Sequence, residues 1–157
     1  MGQITARAVA ILNAQPTAIY TTIADYQHGH PNILPKESFY NLTVEQGGYG
    51  AGTIIRFTMK ALGTELPFYQ RVSEPEPGRV LVEQDIDSPQ HVVTTFIVTP
   101  VEHEKAHVEI TTTMNTSPGI KGLMERIIVP ILNSRVYRKE LKLLEAFAQK
   151  RTTTTSV

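Results

Sequence analysis

His103-Glu104-Lys105-Ala106-His107 spells H-E-x-x-H, the spacing by which two imidazoles one helical turn apart hold zinc while the glutamate serves as base. That chemistry requires a helix. Here Pro100 precedes the motif, and the residues from Val108 to Met114 alternate with period 2. On a strand, residues four apart are separated by about 13 Å, too far to share one metal. The expectation is a polar hairpin turn, with no metal site.

Two other groupings carry chemistry by type. Gly48-Tyr49-Gly50-Ala51-Gly52 resembles a phosphate-cradling loop, but a dinucleotide fingerprint runs from strand into helix with G-x-G-x-x-G spacing. This run has other spacing, opens into the apolar alternation from Thr53 to Met59, and is followed by no Gly-Lys-Ser/Thr. It reads as a flexible turn that could border a cavity mouth. Asp25, His28 and His30 place one carboxylate and two imidazoles within six residues, types that bind metals or shuttle protons. The plainer reading is a helix-end carboxylate with two surface imidazoles, and His30, just before Pro31, is the one to test first.

The elements that must position these residues follow from periodicity. Ile4 to Leu12 reads as an opening strand. Asn13-Ala14-Gln15-Pro16 starts a short helix through Ile19, Tyr20, Ile23 and Ala24, with proline in the first turn. Tyr26 to Pro35 has room for one further helical turn. Six runs of alternation then succeed one another, broken at Gly47–Gly52, Gly63, Glu74–Gly78, Asp87–Gln90 and Glu102–Lys105. One apolar face per run means an antiparallel sheet covered on one side. From Ile120 to about Lys150 a helical stripe follows: Leu123, Ile127, Ile131, Tyr137, Leu141, Leu144 and Ala148. Pro130 should kink or loosen it.

These elements predict an α+β architecture: a curved antiparallel sheet of about seven strands around a long C-terminal helix, with two short helices after the first strand. The boundaries expected are one domain over 1–151 and a polar tail over 152–157. Sheet and helix enclose a cavity. Its lining is expected from Ile55, Phe57, Met59, Phe68, Gln70, Val82, Gln84, Thr94, Phe96, Ile110, Thr112 and Met114 on the sheet. The helix is expected to add Leu123, Met124, Ile127 and Ile131, and the closing segment Tyr26, His30, Ile33 and Leu34. Gln70, Gln84, Thr94 and Thr112 fall in apolar registers, so they either bond within the core or orient a ligand. Arg56, Lys60, Arg71 and Glu83 read as solvated charges on the convex face.

Composition narrows the classes. The 157 residues carry 15 basic and 15 acidic side chains, 41% apolar residues and no cysteine. That suits one domain with a real core and excludes disulfides, thiol nucleophiles and thiolate metal sites. A neutral chain is no generic nucleic-acid binder. The zero is nonetheless a cancellation, since Gly119–Arg151 carries net +5 and the remainder net −5. A basic strip from Lys121, Arg135, Arg138, Lys139 and Lys142 is expected on the last helix. No apolar run approaches the ~20 residues that span a bilayer, and the N-terminus lacks a secretory pattern. The expected location is cytoplasmic.

Several stretches carry a family resemblance: Ala14-Gln15-Pro16, Ile23-Ala24-Asp25-Tyr26 with His30-Pro31 and Ile33-Leu34-Pro35, Gln46 to Thr53, Val72 to Arg79, and Thr95 to Pro100. On these the chain resembles the SRPBCC superfamily (the START-like, helix-grip fold), within it the polyketide cyclase/dehydrase and lipid-transport group. The resemblance covers about Ile4 to Lys150. It implies a cavity for a hydrophobic small molecule and transfers no catalytic residue; no cofactor or metal is expected. The function expected is binding of a lipid-, polyketide- or aromatic-like molecule. A cyclase, aromatase or dehydratase using the same cavity is the alternative, and a protein-interaction module the lesser one. Catalytic residues and oligomeric state stay unassigned.

Overall fold

The structure, a computed structural model, describes residues 2–155, with side chains to Arg151. Seven strands form one antiparallel sheet: β1 (Gln3–Leu12), β2 (Phe39–Gln46), β3 (Ile54–Ala61), β4 (Thr64–Glu76), β5 (Val80–Asp85), β6 (Val93–Val101) and β7 (Lys105–Asn115). Their order is β1-β7-β6-β5-β4-β3-β2. Strands β2 to β7 are therefore a meander, and β7 closes back onto β1. Helix α1 (Pro16–Ala24) and one 3-10 turn (His30–Asn32) carry the chain from the β1 edge to the β2 edge. Helix α2 (Gly119–Thr155) then packs on β1 and α1. This is the predicted helix-grip architecture.

At 1.5 Å per residue, the 37 residues of α2 span roughly 55 Å. They do two jobs. The later half, through Leu141, Leu144 and Ala148, packs with Ile19, Ile23 and Ala24 of α1 onto Leu81, Phe96, Val98, Val108 and Ile110 of the sheet. The earlier half runs beside β1, where Ser134 Oγ donates to Arg7 O (3.3 Å), and roofs the inner sheet face with Met124, Ile128 and Leu132. The helix continues unbroken through Pro130 and runs to Thr155, so four residues of the expected tail are helical. Residues 156 and 157 lie outside the described residues. No described helix is long and apolar enough to cross a membrane.

Three local expectations change. Strand β5 turns the other way, with Leu81 and Glu83 buried, Val82 half-buried and Gln84 exposed. Antiparallel partners point to the same side of a sheet, and Glu83 pairs with Thr94, which pairs with Thr112. Both threonines face inward, so Glu83 must too. On α2, Leu123, Ile127 and Ile131 are 62%, 63% and 52% exposed, and the face over the sheet passes instead through Glu125, Ile128 and Leu132. The glycine loop is not free: Tyr26 N–H donates to Gly48 O (2.9 Å), Gly50 N–H to Ala24 O (2.9 Å) and Ala51 N–H to a Glu74 carboxylate oxygen (2.7 Å). At Gly50, with φ +63°, a Cβ would lie 2.1 Å from that carboxylate.

The H-E-x-x-H residues occupy the β6–β7 hairpin. His103 and Glu104 have left-handed backbone (φ 64° and 56°), and His107 lies within β7 opposite Ile11 and Thr99. The pair has no helical spacing. Of Asp25, His28 and His30, the first two stay together, with His28 Nδ1 3.8 Å from Asp25 Oδ1, while the His30 ring is engaged elsewhere. Asp25 accepts from the Gln27 and His28 N–H groups and pairs with Arg151 at 2.7 Å. His28 is exposed, whereas His30 is buried and points into the fold.

Candidate functional site

The roof and the curved sheet enclose a cavity of about 1010 Å³. Its side walls are apolar. Phe57 stacks on Phe68 (centroids 5.0 Å, 12° between planes), and Phe39 meets Phe57 edge-on at 5.8 Å. Ile55, Met59 and Leu66 extend the wall, and Met124, Ile128 and Leu132 of α2 cover it. Leu62 at the β3–β4 turn and Met124, exposed by 72% and 55%, mark the mouth.

The inner end is polar, and nearly all of it is out of water. His30 and Glu140 are 2% exposed and Glu83 6%. Three elements converge there. The 3-10 turn brings His30, β5 brings Glu83, and α2 brings Tyr137 and Glu140, three residues apart and so on one face. The His30 ring stacks on Tyr26 (4.4 Å) and meets Phe96 edge-on (5.7 Å). Its Nδ1 lies 2.8 Å from the carbonyl oxygen of Ile23. A carbonyl only accepts, so Nδ1 carries hydrogen and donates. That leaves Nε2 facing Glu83 Oε1 at 3.4 Å. The same oxygen accepts the Tyr26 hydroxyl at 2.6 Å.

Across the cavity Thr94 and Thr112 share a hydrogen bond of 2.7 Å, and Thr112 also bonds the Tyr137 hydroxyl. Burial raises the Tyr137 hydroxyl above its ordinary value. Tyr26 is raised as well, by burial and by the charge of Glu83, so both phenols keep their protons at neutral pH. Glu140 is pushed well above the carboxylate range, chiefly by burial and then by Glu83. Among the described residues its carboxyl has no hydrogen-bond partner. On the neighbouring sheet row, Gln70 donates through Nε2 to Asp85 Oδ1 at 2.9 Å, and its Oε1 is buried with no partner.

Twelve residues expected at the lining are there: His30 and Leu34, then Ile55, Phe57, Met59, Phe68 and Gln70, then Thr94, Phe96, Thr112 and Met114, and Met124 of the helix. Eight are not. Tyr26 and Ile33 are fully buried behind the wall, and Ile110 is packed in the core at the α1 end. Val82 and Gln84 sit on the outer face of β5; Leu123, Ile127 and Ile131 sit on the outer face of α2. Glu83, read as a convex-face charge, is corrected to the cavity wall. Asp85, Tyr137 and Glu140 also line it. Glu140 had a sequence signal, for it falls on the Tyr137–Leu141–Leu144 stripe. Arg56 does stay outside, paired with Glu45 and stacked over Tyr69.

A meander sheet, a gripping C-terminal helix and a cavity between them define a class by fold: this is the helix-grip fold. No protein-family model matches the chain, and no curated protein matches it at a significant level. Solved structures do. The chain is similar to the KanY protein at 27% identity (TM-score 0.80, 95% of this chain and 99% of that one). It is similar to the Zhui aromatase/cyclase from Streptomyces sp. R1128 at 14% (TM-score 0.79, 96% of each chain). A START superfamily protein from Mycobacterium smegmatis matches at 14% (TM-score 0.72, 95% of this chain and 99% of that one).

Proposed function

We propose that this protein binds an apolar small molecule, lipid-, polyketide- or aromatic-like, inside the cavity between sheet and α2, as a cytoplasmic protein. The observation that carries this is an apolar-walled space of about 1010 Å³ with a buried polar cluster of His30, Glu83, Tyr137 and Glu140 at its inner end. Ligand pockets commonly have about this volume and this division of labour. Affinity comes from buried apolar area at about 25 cal/mol per Å², and the inner polar groups set orientation. Nile red, a neutral apolar dye, should bind the full chain with a blue-shifted, enhanced emission. Thr94→Phe, which fills the inner end, should weaken it by about tenfold, the worth of roughly 1.4 kcal/mol. Unchanged dye emission with the wild-type chain defeats the reading.

A second reading, an enzyme of the cyclase or dehydratase kind, is favoured by one observation. His30, Glu83 and Glu140 meet in the cavity, and a general acid or base must stand within hydrogen-bond reach of substrate. Titratable groups held out of water beside a pocket are the arrangement such chemistry uses. Turnover of an enolisable cyclic ketone, followed by α-proton exchange with deuterium, tests it; no exchange above the buffer rate counts against it.

A further inference from the structure

The charge on the cavity wall is one-sided. Five carboxyl side chains line it: Glu83, Asp85 and Glu140 inside, Asp87 and Glu125 toward the mouth. Lys121, exposed at the mouth, is the one lysine or arginine on that wall among the described residues. Inside, among the described residues, the one cationic type is the His30 imidazole, and it already faces Glu83.

The hydrogen-bonding inventory leans the same way. Because Gln70 gives its NH₂ to Asp85, its carbonyl oxygen is turned away, buried and unpartnered. It is an acceptor that lacks a donor, and leaving such a group unmet costs about 1–3 kcal/mol. Glu140, 98% withdrawn from solvent, lines the cavity with no partner among the described residues. The pairings Gln70↔Asp85 and Val72↔Glu83 put Gln70, Asp85 and Glu83 on one patch of the inner sheet face. An ammonium group has three donors and no acceptor.

We propose that the ligand is a lipophilic amine, its protonated nitrogen seated among Glu140, Glu83 and the Gln70 carbonyl oxygen, its apolar body along Phe57 and Phe68. This rests on the reading of the cavity as an apolar-ligand site and names the chemical class that the site takes. Entry of the cation supplies the counter-charge the inner wall lacks, and Glu140 can then give up its proton. An anionic ligand of the same length would add charge to an already acidic wall.

Competition against Nile red on the full chain separates the possibilities, using octylamine, octanol and octanoate below their aggregation limits at pH 7. Octylamine should compete about tenfold better than octanol, as a charge-assisted hydrogen bond exceeds a neutral one by about 1.4 kcal/mol. Octanoate should be weakest. In Glu140→Gln the amine-to-alcohol ratio should collapse to about twofold or less, and the ratio is read on folded protein that still binds dye. Should that variant not fold, Gln70→Leu supplies the second ratio, expected to fall as well. Octanol or octanoate matching octylamine on the wild-type chain overturns the amine assignment while leaving the apolar cavity intact. Failure of Nile red itself to bind overturns both.

Discussion

The Tyr26 hydroxyl donates to Glu83 Oε1 over 2.6 Å, tying the residue beyond α1 to the middle of β5. Tyr26 is fully buried and its phenol is raised well above its ordinary value by burial and by Glu83, so it remains a donor at any working pH. Together with the stacked His30 ring it shuts the inner end of the cavity.

Removing that donor should be expensive. Tyr26→Phe keeps the ring and its stacking but leaves Glu83 Oε1 with His30 alone. A hydrogen bond to a charged group contributes about 1.5–3 kcal/mol, and urea unfolding should show a loss of that size. A midpoint equal to wild type would mean that the Glu83 carboxyl finds another donor and that the pair does not hold the end closed.

Glu140 should carry the opposite sign. Its buried carboxyl is raised above the free value of 4.5, so the folded chain keeps a proton that the unfolded chain releases above that value. Stability therefore falls as pH climbs from about 4.5 toward the raised value. Glu140→Gln has no proton to lose, so it escapes this penalty and should stabilise the empty protein at pH 7 by about 1–3 kcal/mol, each pH unit above the unfolded value being worth about 1.4 kcal/mol. Near pH 4 the gain should vanish. Thermal unfolding at both pH values decides it, and a variant less stable than wild type at pH 7 contradicts the assigned environment.

Asp25 behaves conventionally. Burial pushes its carboxyl up, but the Arg151 hydrogen bond and the His28 and Gln27 N–H groups outweigh it, and the net shift is downward from 3.8. A lowered value stabilises the fold above the unfolded-state value and is lost as pH falls through the folded one. Asp25→Ala should cost about 1–3 kcal/mol at pH 7, with the gap to wild type narrowing below pH 3.8. A gap that stays constant down to pH 2 would assign the loss to packing instead.

The two halves of α2 can be told apart by truncation. Leu144 is fully buried and Leu123 62% exposed. Leu144→Ala should cost about 2–5 kcal/mol, while Leu123→Ala should stay within about 0.5 kcal/mol. Comparable losses at both positions would return the first half of the helix to the orientation expected from its apolar stripe.

That orientation shows where local pattern runs out. In β3, β4, β6 and β7 one alternating face is apolar, so Phe57, Gln70, Thr94 and Thr112 could be assigned inward from their registers alone. In β5, Val80, Leu81 and Val82 are apolar at three successive positions, and period 2 cannot choose between parities. Pairing with β6 made the choice, and it brought Glu83 inside. In the first half of α2, Leu123, Ile127 and Ile131 compete with Ile128 and Leu132 for the inner face. Both stripes have helical spacing, and only the position of the sheet distinguishes them.

By itself the chain determined its elements, their order and the enclosure of a cavity, because turn residues and period are local properties of the backbone. It also marked His30 as the imidazole to examine. What only the tertiary structure decided is the chemistry of the inner end. Glu83 on a strand, Glu140 on a helix 57 residues later in the sequence and His30 on a 3-10 turn become one buried acidic pocket only when three elements close on the same few ångströms. No periodicity within any one of them encodes that meeting.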